Sequence, residues 1–166
     1  IGGTQDNGVI GNGSGDFSPV VIGDAYEAII DPIDPSIVYV TSNGGTKSAN
    51  KSINYGVSFT SINNGIPYLE RKTKGLNDRP FLMSPFDNTK LYIAYSNIWE
   101  TIDAGNSWQQ YTNFHNNYNV GDAIIAVSIT EADENTMYVA YNGAVWGNTN
   151  VSRLFKTEND GQTWTD

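Results

Sequence analysis

The sequence predicts an all-β repeat protein, and three observations carry that prediction. An eight-residue pattern, Ser/Thr-x-Asp/Asn-x-Gly-x-Ser/Thr-Trp/Phe, stands at 101–108 and 157–164 and, more faintly, at 52–59. Its glycines, Gly56, Gly105 and Gly161, are 49 and 56 residues apart, a spacing typical of stacked structural repeats. Ahead of each copy runs a segment rich in β-branched and aromatic residues, at 37–41, 91–95 and 137–141. No long window carries a helical apolar stripe free of Gly, Pro or Asn breaks.

Each position of the pattern has a physical task. Asn54, Asp103 and Asn159 are the turn acceptors, expected to take backbone amides within their own turns. The glycine supplies a positive φ. Phe59, Trp108 and Trp164 close the pattern and are expected to be largely buried, pinning the turn to the sheet through roughly 150–250 Å² of ring surface.

This pattern resembles the Asp-box, or BNR repeat, of β-propellers in the sialidase, sortilin-type and xyloglucanase-type families. The runs at 2–8 and 23–32 resemble large secreted BNR-repeat proteins of Bacteroidetes-type bacteria, which implies a secreted or cell-surface location and export by type IX secretion. The repeat count predicts a partial β-propeller: three four-stranded antiparallel blades plus a remnant of a preceding blade. With only three repeats, the chain is expected to be part of a longer polypeptide whose remaining blades are its first partners.

Taken in order, residues 1–22 read as a degenerate blade remnant, with a hairpin-type turn at Asp6-Asn7-Gly8 and a Gly/Ser-rich loop after it. The blade at 23–62 has strands at 26–30 and 37–42, prolines confined to the turn between them, and the 52–59 box joining its third and fourth strands. The blade at 79–111 is the compact one, with Ser96-Asn97 as a minimal loop. The blade at 123–165 holds strands at 124–128, 137–141, 152–157 and 163–165, its second and third separated by a long loop at 142–151.

Eighteen acidic against nine basic residues give a net charge of −9, which disfavours nucleic acid and anionic surfaces as partners. The sequence contains no Cys, hence neither a disulfide framework nor a thiolate nucleophile or metal ligand. His115 is the single histidine, which excludes a His-rich metal site, and no nucleophile elbow is present. No run approaches the length of a membrane-spanning helix.

In propellers resembling this one, the Asp-boxes lie on the face away from the ligand. The site search therefore belongs to the opposite loops, near 42–51, 63–79, 96–97, 112–122 and 142–151. Asp24, Asp78 and Asp122 each stand just before a first strand. Together they read either as an acidic ring at the channel mouth, for a hydroxyl-rich ligand or calcium, or as caps for local turn amides. Trp146, in the longest loop, suits stacking on a sugar or a peptide, or packing on a neighbouring blade. Asp6, Asn7 and Tyr118 complete the candidate ligand-binding set, and no other cofactor is expected. Trp99 reads as strand-three packing.

The function these features favour is a non-catalytic recognition or scaffold propeller that binds a glycan or a protein through its loop face. Only Arg71, Arg79 and Arg153 are available, too few for the arginine cluster of a sialidase. The alternative is a fragment of a xyloglucanase-like glycoside hydrolase whose carboxylate pair is completed by missing blades.

Overall fold

The computed structural model describes residues 1–4, 8–11, 18–21, 23–44, 46–76, 78–114, 123–141 and 152–166. They form antiparallel meanders in which each strand pairs with its neighbour in sequence. Strands β1 (Gly2–Thr4), β2 (Gly8–Gly11) and β3 (Ser18–Val21) make a three-stranded sheet within the segment read as a remnant. The first full blade is β4 (Asp24–Ile30), β5 (Val38–Asn43), β6 (Lys47–Ser52) and β7 (Thr60–Ser61). A short helix, α1 (Tyr68–Thr73), lies in the crossing to the second. That blade is β8 (Phe81–Met83), β9 (Leu91–Ala94), β10 (Ile98–Thr101) and β11 (Gln109–Gln110). The third is β12 (Ile124–Ile129), β13 (Met137–Tyr141) and β14 (Arg153–Thr157).

Three expectations need correction. The fourth strand of the third blade is reduced to an isolated bridge, in which Lys156 and Thr165 exchange two backbone hydrogen bonds. The stretch at 42–51 is a hairpin rather than a loop: β5 and β6 stay in register to Asn43↔Lys47, leaving only three residues between them. The helix α1 escaped notice because its six residues are too few to show an apolar stripe, and none of them is buried.

The Asp-box turns share one bonding scheme. The Asx side chain accepts the amide four residues on: Ser58 to Asn54 at 3.0 Å, Ser107 to Asp103 at 2.9 Å and Thr163 to Asn159 at 2.9 Å. The opening hydroxyl of Ser52, Thr101 or Thr157 donates to that Asx and accepts the glycine amide, at 2.9, 3.0 and 3.0 Å respectively. Two consecutive residues have positive φ, as a type I′ turn requires: Tyr55-Gly56, Ala104-Gly105 and Asp160-Gly161. The residue ahead of each glycine is therefore left-handed without being glycine, which costs roughly 1–2 kcal/mol that the side-chain bonds offset. Of the closing aromatics, Trp108 is buried at 5% exposure, whereas Phe59 and Trp164 are only half-buried.

A second repeated turn, between the first and second strands, sits against each box. Its Asp accepts the amide two residues on: Ser36 to Asp34, Thr89 to Asp87 and Asn135 to Asp133. The carbonyl of Ser36, Thr89 or Asn135 then accepts the amide of the left-handed box residue, at 2.9, 2.8 and 3.0 Å. These two turns lock one end of every blade.

The core lies between blades. Tyr39 and Ala49 of the first pack with Phe81, Leu91, Ile93, Trp99 and Trp108 of the second, confirming Trp99 as packing. Tyr92, Ala94 and Ile98 of the second pack with Ile124, Val139, Tyr141 and Phe155 of the third. Each box glycine is seated on an apolar side chain outside its own blade. A Cβ on Gly105 would lie 2.5 Å from Ile62 Cδ1, and one on Gly161 would lie 2.7 Å from Tyr111 Cζ.

Two predictions follow from these turns. Asp103→Ala should destabilise the chain by about 1–3 kcal/mol, whereas Asp103→Asn should stay close to the parent, because Asn serves at 54 and 159. Hydrogen bonds from Ser107 Oγ, Thr101 Oγ1 and Ser107 N pull the Asp103 carboxyl down to about 2 from its ordinary 3.8. Its stabilisation is therefore complete above 3.8 and is lost as pH falls from there towards 2. Urea unfolding between neutral and acid pH should show that loss in the parent and a smaller one in Asp103→Asn. Gly105→Ala should cost about 2 kcal/mol or more through strain at φ 89° and collision with Ile62, and Ile62→Ala should restore only the collision part. A double-mutant cycle by thermal unfolding measures the two contributions separately.

Candidate functional site

The first strands β4, β8 and β12 bring together a cleft of about 280 Å³. Its polar lining is Glu27, Asp78 and Arg79; Pro80, Phe81, Leu82, Ile125, Ala126 and Val127 form the rest. Strand pairing places Ile30, Met83 and Ile129 at equivalent ends of the three first strands, opposite Val38, Leu91 and Met137. Counting back three residues from each gives Glu27, Pro80 and Ala126. One charged side chain thus occupies the cleft-facing position that is apolar in the other two blades.

Glu27 is displayed there by a break in its own strand. The register of β4 against β5 shifts between Ala25 and Ala28, and the amide freed at Glu27 donates to Thr41 Oγ1 at 3.0 Å. The side chain is exposed at the cleft, yet its walls desolvate the carboxyl and raise it above the ordinary glutamate value, with the Asp78 charge adding to the shift. Sequence reading passed over Glu27. The available signal was an acidic residue inside the otherwise apolar run Tyr26–Ile30.

Of the acidic ring expected from sequence, Asp24 and Asp78 are described, and burial followed by the charges of both raises the Tyr26 phenol above its ordinary value. Asp24 begins β4, is half-buried and accepts the Tyr26 phenol at 3.2 Å. Asp78 is exposed and lies on the cleft. Asp24 pairs with Asn43 beyond the register shift of β4, whereas Asp78 precedes β8. Asp122, Asp6, Asn7, Tyr118 and Trp146 lie outside the described residues, as does His115. Among the described residues, no three His, Cys, Asp or Glu side chains gather into a group able to hold a metal ion.

Arg79 anchors the cleft wall. It is fully buried, and its Nη2 donates to the carbonyls of Ser48 at 2.8 Å and Ser42 at 3.2 Å, tying the start of the second blade to the β5–β6 hairpin of the first. Its guanidinium lies over the Tyr95 ring at 5.4 Å. Burial pushes it below its usual value and the Tyr95 side chain opposes that shift. Nearby, Glu70 of α1 accepts Ser96 Oγ at 2.7 Å and the Ser96 and Asn97 amides, closing the compact loop of the second blade.

A second hollow, of about 350 Å³, is lined by Glu100–Asp103 and Ser107–Gln109. It belongs to the constant end of the blade, where the Asp103 and Ser107 side chains are already committed to the turn. Among the described residues no helix is long and apolar enough to cross a membrane.

No protein-family model matches the chain, and no curated protein does either. Solved structures do. A GH74 xyloglucanase from Xanthomonas campestris superposes with a TM-score of 0.61 at 16% identity, over 83% of this chain and 22% of that one. An ancestral GH74 enzyme gives 0.59 at 14% identity, over 86% of this chain and 18% of that one. YCF48 from Cyanidioschyzon merolae gives 0.51 at 11% identity, over 85% and 36%. The chain thus spans about a fifth of the GH74 structures and about a third of YCF48. The meander sheets, their shared eight-residue turns and these superpositions together identify the fold as part of a β-propeller.

Proposed function

We propose that this chain is a recognition segment of a propeller in a secreted or cell-surface bacterial protein, and that it binds a glycan, or a peptide of neutral or basic character, across the cleft at its first strands. The observation that carries this reading is the placement of Glu27. A carboxylate is displayed from a broken strand at the cleft-facing position, with Asp78 beside it, while the other blades present Pro80 and Ala126 there. Carboxylate oxygens accept hydrogen bonds from sugar hydroxyls, and the apolar wall of Pro80, Leu82, Ile125 and Val127 suits the carbon face of a sugar ring. The Asp-box end of the blades supports the same division, since its turns share one length and use their polar groups internally.

A second reading rests on the raised Glu27 carboxyl. A carboxyl whose pKa is raised by burial and by a neighbouring carboxylate is what a glycoside hydrolase needs of its general acid, and GH74 enzymes share the fold. Under that reading Glu27 protonates the leaving oxygen, and its partner carboxylate comes from elsewhere in the ring.

Titration calorimetry with xyloglucan oligosaccharides, and with a neutral peptide as the alternative probe, tests the proposal. Glu27→Gln should weaken binding about tenfold, or ~1.4 kcal/mol, and Asp78→Asn by less, while Asp103→Asn leaves it unchanged. Equal affinity of parent and Glu27→Gln for every probe that binds would overturn the assignment. Release of new reducing ends by the parent and its loss in Glu27→Gln would establish the hydrolase reading instead.

A further inference from the structure

The second surface worth reading lies on the helix that the sequence did not announce. Five of the nine cations of this acidic chain, Lys47, Arg71, Lys72, Lys74 and Arg79, fall in α1, its C-terminal flank and the elements beneath it. The one carboxylate of α1, Glu70, is turned inward onto the Ser96-Asn97 loop. No residue of the helix is buried, and Tyr68 and Leu69 stand 53% and 68% exposed at its start. Lys72 Nζ lies 5.5 Å from the Tyr68 ring centroid and the Arg71 guanidinium 6.0 Å from it, so cations and apolar surface form one patch.

The cations also crowd one another. Lys47, buried at 7% exposure, is held below the usual lysine value by burial and by the Arg79 charge, with Glu70 opposing. Arg71 in turn adds to the lowering of Arg79. A local positive field of this kind, inside a chain of net charge −9, is relieved by an incoming anion.

We propose that α1 is a docking surface for an acidic peptide segment carrying an aromatic or aliphatic side chain, its carboxylates meeting Arg71 and Lys72 and its apolar group lying on Tyr68 and Leu69. A peptide fits better than a membrane or a nucleic acid. The patch is one short helix wide, and the remaining surface of the chain repels an extended polyanion or an anionic bilayer.

The full chain, titrated at low salt with a fluorescein-labelled peptide of repeating Glu-Glu-Phe and followed by anisotropy, should show saturable binding that weakens on adding salt. Lys72→Glu should lower affinity about tenfold and Leu69→Ser several-fold, with unfolding temperatures unchanged because both side chains are exposed. Lys156→Glu alters net charge equally on a distant blade and should have little effect, and a Gln-Gln-Phe peptide should not bind. Glu27→Gln should leave peptide binding intact, separating this surface from the cleft. Equal losses in Lys72→Glu and Lys156→Glu, equal binding of the uncharged peptide, or Lys72-dependent binding of phosphatidylserine vesicles without peptide binding would each overturn the proposal.

Discussion

The blades depend on a buried hydroxyl. Ser52, Thr101 and Thr157, each 1% exposed, stand at the last residue of the third strand, accept the amides of the Asx and the glycine, and donate to the Asx carboxylate or amide oxygen. That single group closes a turn whose central residues are both left-handed, a conformation the backbone does not adopt without support. Once the turn is closed, its left-handed residue donates to the neighbouring Asp-based turn, and its glycine lies flat enough to seat an apolar side chain from outside the blade. Local hydrogen bonding, end-locking of the blade and packing between blades therefore follow from one interaction.

The fold was legible because those requirements leave fixed letters at fixed spacing. Asn54, Asp103 and Asn159, the glycines after them and the strands beginning at Val38, Leu91 and Met137 were all readable, and each stands where the pattern put it. What the pattern hid has physical reasons. The box admits either Asp or Asn because the second hydroxyl reverses its role: Ser107 Oγ donates to Asp103, while Ser58 and Thr163 accept from the Asn amides. The Asp-based turns at 34, 87 and 133 were hidden by variable neighbours, since the residue two on, whose amide the Asp accepts, is Ser, Thr or Asn in turn.

The candidate site was far less legible, and the cause is register. Asp24 and Asp78 both stand just before or at the start of a first strand, but Asp24 is engaged by the Tyr26 phenol while Asp78 lies on the cleft. Glu27 looks like an error in an apolar strand until the register shift between Ala25 and Ala28 is seen to turn it outward. Arg79 reads as a loop cation and is instead a fully buried clamp between blades, tolerated because strand carbonyls and the Tyr95 ring receive its guanidinium. Sequence reveals which residues are charged; pairing geometry decides what they face.

The meander has a further consequence, for the order in which the molecule comes into being. Among the described residues every strand ladder joins elements adjacent in the chain, so a blade of this kind completes its own ladders without any residue made later. Translation delivers roughly 5–20 residues per second and a hairpin closes in about 1–10 μs, so each blade finishes long before its successor leaves the ribosome. The tyrosines of the second strands record the sequel. Tyr39 and Tyr92 are sealed at 0% and 2% exposure beneath the following blade, whereas their counterpart Tyr138 remains 37% exposed. A growing polypeptide therefore always presents one sticky sheet face, renewed at each step, and a slowly closing turn in any one blade delays the covering of the blade before it.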